Sequence, residues 1–191
     1  KWQKIIDMNI AVFASGTGTT LQALIDQQTT YGYKVTLLVA NRECPSIERA
    51  KQANIPTLQS KDWTEIDNAL TGHHIQLIVL AGYLAIIPEW ICAKWEKRII
   101  NIHPSLLPKH GGKGMYGIRV QEAVLAAGDT TAGCTVHYVS AEVDGGSIIA
   151  QTTVPVLPND TPDSLTARVQ QEEKQLLPRV IQTILYNITQ H

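Results

Sequence analysis

Asn101 and His103 have side chains that suit stabilisation of negative charge and proton transfer. They lie two residues apart at the end of an apolar run, so on a strand both side chains point to the same side. An amide N–H can donate to a developing oxyanion, and an imidazole can carry a proton near neutral pH. The pair therefore predicts acyl-transfer chemistry. Taken alone, His103 fits better with the alternative of a buried histidine that holds a loop.

Asp144 is a candidate partner for the imidazole, within the sequence Glu-Val-Asp-Gly-Gly at residues 142–146. A carboxylate beside an imidazole favours the protonated ring and orients it. The alternative is an ordinary Asp-Gly turn, which is the commoner use of that dipeptide. Spacing along the chain does not show whether Asp144 reaches His103.

A glycine-bearing loop, Ser-Gly-Thr-Gly-Thr-Thr at residues 15–20, follows an apolar run. Its glycines allow a tight turn, and free N–H groups at the start of a following helix can bind an anion. The loop lacks the lysine of a P-loop, and Leu21 replaces the third glycine of a dinucleotide fingerprint. A phosphate monoester is therefore favoured over a nucleoside triphosphate or dinucleotide. A turn that binds no ligand is about equally consistent with this loop.

The elements that must position these residues follow from the apolar pattern. Short apolar runs predict strands over 10–14, 35–40, 75–81, 98–102, 131–139 and 147–154. Helical spacing predicts helices over 19–28, 46–53, 62–70, 88–95, 119–127 and 162–188, the last interrupted at Pro178. We expect an α/β, Rossmann-like single domain: a mostly parallel twisted sheet with helices on both faces and an antiparallel strand pair near the C-terminal part. Ligands of such sheets bind beyond the carboxyl ends of strands, where Asn101 and His103 fall.

Composition excludes several classes of protein. The 191 residues carry 16 Lys and Arg against 17 Asp and Glu, a balance unlike that of nucleic-acid-binding domains. No apolar run is long enough to cross a membrane, and no secretory signal precedes the first strand. The three cysteines are scattered, which favours reduced thiols in the cytoplasm and no metal site. Residues 1–7 are expected to precede the folded domain, with Met8 as a candidate native start.

Together these residues resemble the phosphoribosylglycinamide formyltransferase family of purine biosynthesis. The resemblance spans residue 9 to about residue 188 and is carried by the segments 14–22, 80–83, 101–108, 144–146, 166–170 and 172–173. The run Asn-Ile-His-Pro-Ser-Leu-Leu-Pro with a later Asp-Gly-Gly is specific to folate-dependent formyl transfer. It is shared with methionyl-tRNA formyltransferase and formyltetrahydrofolate deformylase, whose additional C-terminal and N-terminal domains we do not expect here.

The resemblance implies a role for each matching residue. Asn101 would hold the formyl oxygen, His103 would be the general acid and base, and Asp144 would support His103. Glu173 would contact the glycinamide end of the substrate. The substrate phosphate would be held by Gly16, Thr17, Gly18, Thr19 and Thr20, and the formyl-folate by Asn101 and by Leu84, Ala85, Ile86 and Ile87. Relatives commonly have Asn in place of Thr17 and Thr20 and Arg in place of Ala85, so some side-chain contacts to phosphate and to the folate tail are not expected.

The implied reaction moves the formyl group of 10-formyltetrahydrofolate to the amine of 5'-phosphoribosylglycinamide, giving formylglycinamide ribonucleotide and tetrahydrofolate in de novo purine (IMP) biosynthesis. The alternatives are hydrolysis of formyl-folate, another formyl-folate-dependent transfer, or a non-catalytic binding protein. The resemblance implies residues 9–100 as a phosphate-binding half and 101–191 as a catalytic and folate-binding half of one domain, 1–191. A cytoplasmic monomer or homodimer with small-molecule substrates is expected, without metal, nucleic acid or membrane partners. The segment 109–117 would be a mobile loop that closes over the substrate and excludes water.

Overall fold

The computed structural model of the protein describes residues 8–190, so the expectations for residues 1–7 lie outside the described residues. Within this range the chain divides into two compact units. The first comprises residues 8–85 and 178–190, and the second comprises residues 86–177. The sequence places the boundary between two functional halves near residue 100, and that division stays a prediction.

The first unit is built on parallel strands. Its elements are β1 (Met8–Ala14), α1 (Thr19–Tyr31), β2 (Tyr33–Ala40), α2 (Pro45–Gln52), β3 (Thr57–Gln59), α3 (Trp63–Gly72) and β4 (Leu77–Leu80). The strand order is β3-β2-β1-β4, and every pair is parallel. In β1 the residues from Ile10 to Ala14 are almost completely buried. This continuous burial explains why the strand is an unbroken apolar run rather than an alternating one.

Local signals fix the ends of the helices in this unit. Gly32 follows α1 with φ 73°, and its N–H donates to the carbonyl oxygen of Gln28 at 3.0 Å. Glycine adopts this left-handed conformation without steric cost, which stops the helix one residue before β2. At the start of α3 the carboxylate of Asp62 accepts from the N–H groups of Thr64 and Glu65. Both ends are therefore encoded in the local sequence.

The second unit carries the antiparallel strands. Its elements are α4 (Glu89–Lys94), β5 (Ile99–His103), α5 (Ile118–Ala126), β6 (Thr131–Tyr138), β7 (Ile148–Pro155) and the greater part of α6 (Pro162–Thr189). The order is β5-β6-β7, with both pairs antiparallel. The register places Asn101 opposite His137 and His103 opposite Thr135. Four polar side chains are thus fixed as cross-strand pairs.

The expected α/β class is confirmed, with parallel strands early in the chain and antiparallel strands late. Two local expectations differ from the structure. The short strand β3 was not predicted, because three half-exposed residues give no apolar run. The helix α6 also continues through Pro178 instead of breaking there. Proline removes one N–H from the helix ladder, and the other backbone bonds of α6 keep the chain helical.

No helix within residues 8–190 is both long and apolar enough to cross a membrane. Cys44, Cys92 and Cys134 are buried free thiols. Burial raises the pKa of Cys134 to about 12, so this thiol is uncharged at neutral pH.

Gly133 in β6 is a position where the fold leaves no room for a side chain. A Cβ there would overlap the carbonyl oxygen of Thr152 and would lie 2.8 Å from Cδ2 of Leu106. We expect Gly133→Ala to lower the free energy of unfolding by about 2 kcal/mol or more in urea denaturation, because the neighbours must shift.

Gly72, at the end of α3, provides the matched control. A Cβ there would meet no atom within 4 Å, and alanine favours the helix by up to about 1 kcal/mol. Gly72→Ala is therefore expected to keep or raise stability. Equal losses in the two variants would contradict the close approach of β7 to Gly133.

Candidate functional site

Four side chains of the second unit form one polar cluster, which consists of Asn101, His103, His137 and Asp144. Asn101 and His103 lie on β5, His137 lies on β6, and Asp144 lies in the turn before β7. Both imidazoles are buried, with side chains 5% and 2% exposed. The structure thus brings together the three residues expected to be catalytic and adds His137, which was not expected.

The ring of His103 has a protein acceptor near each nitrogen. Nε2 lies 2.9 Å from the carbonyl oxygen of His110, and Nδ1 lies 3.6 Å from Oδ2 of Asp144. A carbonyl oxygen only accepts, so Nε2 carries a proton. The carboxylate on the other side orients the ring. The proton on Nε2 of His103 is therefore held by the backbone carbonyl of residue 110.

His137 orients the amide of Asn101. Its Nδ1 lies 2.8 Å from the carbonyl oxygen of Tyr138, which assigns the ring proton to Nδ1. Burial lowers the pKa of His137, so the ring is neutral and Nε2 accepts a hydrogen bond from Nδ2 of Asn101 at 3.0 Å. This bond uses one of the two amide hydrogens of Asn101. No acceptor within residues 8–190 takes the second hydrogen.

The cross-strand register is the signal that would have identified His137 from sequence. The pattern of β6 alone does not distinguish His137 from an ordinary core or surface residue, because the sequence predicts pairing of that strand only with β7. Pairing β5 with β6 places His137 directly opposite Asn101. Directly opposite residues in an antiparallel pair have Cβ atoms about 5 Å apart, within reach of an amide and an imidazole.

The turn that carries Asp144 is shaped by positive φ and close packing. Asp144 itself has φ 56°, a conformation that Asp tolerates better than most residues. A Cβ on Gly146 would overlap the carbonyl oxygen of Tyr138, so the backbone passes too close for any side chain. The carboxylate also lies 3.7 Å from Nε2 of His137 through Oδ1. One carboxylate thus faces both histidines.

The glycine-rich loop that follows β5 covers the carboxylate. The N–H of Gly112 donates to Oδ2 of Asp144 at 2.8 Å. The preceding residues, Lys109 and His110, both contact the carboxylate of Asp129, at 3.0 and 2.7 Å. Hydrogen bonds from His110 and then Lys109 hold the pKa of Asp129 below its usual range. In this arrangement the loop lies against the His103–Asp144 pair.

A second buried network supports the loop from beneath, centred on Thr135 of β6. Its hydroxyl donates to the carbonyl oxygen of Ser105 at 2.7 Å and accepts from the N–H of Leu107 at 3.1 Å. The side-chain amide of Gln151 donates to the same hydroxyl and to the carbonyl oxygen of Leu107. Thr135 was not predicted as a site residue. It fixes the backbone that begins directly after His103.

The predicted phosphate loop lies in the first unit, between β1 and α1. Gly18 has φ 74° and immediately precedes the first residue of the helix, Thr19. Thr17 is exposed, and Thr19 and Thr20 are partly exposed. The loop therefore has the strand-turn-helix geometry that the sequence predicted, and its role in binding phosphate stays a prediction.

The remaining predicted residues differ in exposure. Leu84 and Ile86 are exposed, at 46% and 70%, whereas Ile87 is buried. The N–H of Leu84 donates to the hydroxyl of Ser15, so that N–H is already used within the protein. Glu173 in α6 is buried, and burial raises its pKa to about 7. Roles in binding folate and the glycinamide end stay predictions for these residues.

Across residues 8–190 no group of three or more His, Cys, Asp or Glu side chains is arranged to hold a metal ion. The polar cluster combines one amide, two imidazoles and one carboxylate. That set suits reactions in which negative charge develops on a carbonyl oxygen while a proton is transferred.

Comparison with known proteins gives consistent results. A family model described as formyl transferase matches residues 8–181. A phosphoribosylglycinamide formyltransferase of Haemophilus influenzae is 39% identical over 185 residues, which cover 90% of this chain and 84% of that protein. The crystal structure of phosphoribosylglycinamide formyltransferase from Anaplasma phagocytophilum has a TM-score of 0.87 at 35% identity, covering 95% of this chain and 88% of that one.

A plant relative is longer than this chain. The chloroplastic phosphoribosylglycinamide formyltransferase of Vigna unguiculata is 38% identical over 187 residues, which cover 92% of this chain and 60% of the relative. The chain thus spans about three fifths of the length of that protein.

The raised pKa of Glu173 predicts a pH-dependent stability. The unfolded carboxyl titrates near 4.5 and the folded one near 7, so the folded state binds the proton more tightly. The stability contributed by the protonated side chain is present below about pH 4.5 and is lost as the pH rises through 7. The glutamine side chain of Glu173→Gln stays neutral at every pH. Between pH 5 and pH 8 the free energy of unfolding of this variant is therefore expected to rise, relative to that of the native protein, by on the order of 3 kcal/mol. Urea denaturation at both pH values measures this gain, and parallel pH profiles would contradict it.

Proposed function

We propose, for a chain that belongs to the formyl transferase family, that it transfers the formyl group of 10-formyltetrahydrofolate to the amine of 5'-phosphoribosylglycinamide. The products are formylglycinamide ribonucleotide and tetrahydrofolate, as expected in de novo purine biosynthesis. The names of the bacterial and plant relatives support this choice of substrates. The observation that carries the chemistry is the polar cluster, in which His103 contacts Asp144 while His137 orients Asn101.

Asn101 stabilises the oxyanion in this proposal. Attack of the substrate amine on the formyl carbon makes a tetrahedral centre whose oxygen is negatively charged. The second amide hydrogen of Asn101, which His137 does not use, donates to that oxygen. Because His137 fixes the amide beforehand, little reorientation is needed as the charge develops, and this preorganisation lowers the barrier.

His103 transfers the proton in this proposal. The attacking amine must lose a proton and the departing folate nitrogen must gain one, directly or through water. The imidazole performs both transfers through Nε2, with the substrate replacing the carbonyl of His110 as its hydrogen-bond partner, and its positive form then faces the oxyanion. Asp144 stabilises that positive charge from 3.6 Å. No covalent acyl-enzyme is required, so no serine or cysteine nucleophile is needed.

The substrate-binding roles are proposed from matching family positions. The N–H groups and hydroxyls of residues 16–20 bind the ribose phosphate, and the buried Glu173 binds the glycinamide end. The exposed apolar side chains in segment 84–87 contact the pterin ring of the formyl-folate. A cytoplasmic location and a monomeric or homodimeric state remain predictions, the first resting on the free thiols.

Replacement of His103 or Asn101 tests the chemistry directly. We expect His103→Ala and Asn101→Ala to lower kcat for formyl transfer by about a hundredfold or more, with smaller changes in KM, because each removes a group that acts in the transition state. Tetrahydrofolate release is followed by absorbance with saturating glycinamide ribonucleotide. The control is His73→Ala, which lies in the other unit. Near-native kcat for His103→Ala would overturn the assignment.

The same assay without the acceptor amine separates transfer from hydrolysis. The proposed transferase should release little formate when glycinamide ribonucleotide is omitted, because water is not the intended nucleophile. Formate release at a similar rate with and without the acceptor would instead support the alternative formyl-folate hydrolase.

The bond between His137 and Asn101 makes a prediction about coupling. His137→Ala leaves the Asn101 amide without its orienting acceptor, so kcat is expected to fall about tenfold or more. In an Asn101→Ala background the same substitution should add little, because there is no longer an amide to orient. A double-mutant cycle on kcat measures the coupling. Independent, additive losses would show that His137 acts in another way.

A further inference from the structure

Three consecutive carbonyl groups of the glycine loop bind side chains from one neighbouring segment. Nε of Arg42 donates to the carbonyl oxygen of Ser15 at 2.8 Å, and Nε of Arg49 donates to that of Thr17 at 2.8 Å. Between them, the hydroxyl of Ser46 donates to the carbonyl oxygen of Gly16 at 2.7 Å, and its N–H donates to the same oxygen at 3.2 Å. The segment 42–49 therefore binds all three carbonyl oxygens of residues 15–17.

Because the peptide bond is planar, the positions of these carbonyl groups also determine the directions of the N–H groups of residues 16–18. In a planar trans peptide the carbonyl of one residue and the N–H of the next point in opposite directions. The only cis peptide within residues 8–190 is at Leu107–Pro108. Binding the carbonyls of residues 15–17 on one side therefore directs the N–H groups of residues 16–18 to the other side. Those three N–H groups donate to no acceptor among the described residues.

The fit between the loop and Ser46 is close. Gly18 has φ 74°, and a Cβ there would lie 2.8 Å from Oγ of Ser46 and 3.0 Å from Cδ of Arg49. Ser46 is completely buried. Glycine at position 18 is therefore favoured for two reasons. It adopts the positive φ without steric cost, and it leaves room for Ser46 and Arg49 to approach the loop.

The positive charges of Arg42 and Arg49 also favour an anion beside the loop. Neither Arg42 nor Arg49 forms an ion pair with a carboxylate within residues 8–190. Each uses Nε for the loop carbonyl. The only further bond of Arg49 in the described chain is a long one, 3.5 Å, from Nη1 to the side chain of Gln22. Two unneutralised guanidinium groups thus lie against a loop that contains no lysine, and their field favours an anion beside it.

We infer that Arg42, Ser46 and Arg49 are positioning residues for substrate phosphate: they hold the carbonyls of residues 15–17 so that the N–H groups of residues 16–18 face the anion. This inference rests on the proposed function, which places the ribose phosphate at residues 16–20. These three residues act through the loop and need not touch the phosphate.

The experiment compares two acceptors that differ only in the phosphate. Steady-state kcat and KM are measured with glycinamide ribonucleotide and with its dephosphorylated riboside, both with 10-formyltetrahydrofolate. The variants are Arg49→Met, which removes a donor and a charge, and Ser46→Ala, which removes only a hydroxyl donor. Arg179→Met, an exposed position on α6, is the matched control for loss of an arginine. Thermal unfolding of each variant is recorded in parallel.

We expect Arg49→Met to raise KM for the ribonucleotide by about tenfold and Ser46→Ala to raise it by about fivefold, as expected for loss of one charged and one neutral hydrogen bond. Their kcat at saturation and their kcat/KM for the riboside should match the native protein. Competitive inhibition by inorganic phosphate should weaken in the same two variants, whereas Arg179→Met should behave as native.

The outcomes separate this inference from the function on which it rests. If the native protein uses both acceptors equally well, phosphate does not bind as the proposed function requires. If the native protein strongly prefers the ribonucleotide and both variants keep that preference, the function stands and the positioning role is wrong. Equal loss with both acceptors, accompanied by a lower unfolding temperature, would show that these bonds only stabilise the fold and would also overturn the inference.

Discussion

The antiparallel pairing of β5 with β6 determines the geometry of the polar cluster. Its register sets Asn101 against His137 and His103 against Thr135, so one pair of strands positions both catalytic candidates and the residues that contact them. The adjacent turn then brings Asp144 to within 4 Å of both histidines. Strands are stiffer supports than loops, which keeps an amide and an imidazole within the narrow tolerances that proton transfer requires.

Burial of these polar groups is tolerated because most of them have partners. The hydroxyl of Thr135 is fully engaged, and the rings of His103 and His137 each contact a backbone carbonyl. An unpaired polar group buried at this depth would cost about 1–3 kcal/mol. The same bonds that satisfy the buried groups also select one tautomer for His137 and one amide orientation for Asn101. Stability and preorganisation are therefore provided by the same contacts.

The sequence predicts the strand ends, the glycine loop and the three catalytic candidates, because each has a local signal. Asn101 and His103 end an apolar run, and the loop at residues 15–20 follows another. His137 and Thr135 were missed, because their importance depends on pairing between β5 and β6, which are separated by a long loop and a helix. The bonds of Arg42 and Arg49 to the glycine loop were missed for the same reason. A charged side chain after a strand resembles any solvated residue until the packing is known.

The register between β5 and β6 also determines where the chain can change in length during evolution. Side chains alternate with a period of two along a strand, so one residue inserted within 100–103 or 135–138 would turn a side chain of the polar cluster to the opposite face. The stretch between Gly112 and α5 carries no such requirement, and insertions or deletions there would leave the cross-strand pairs intact. Homologues should therefore differ in length in that stretch while keeping a constant residue count along the paired strands.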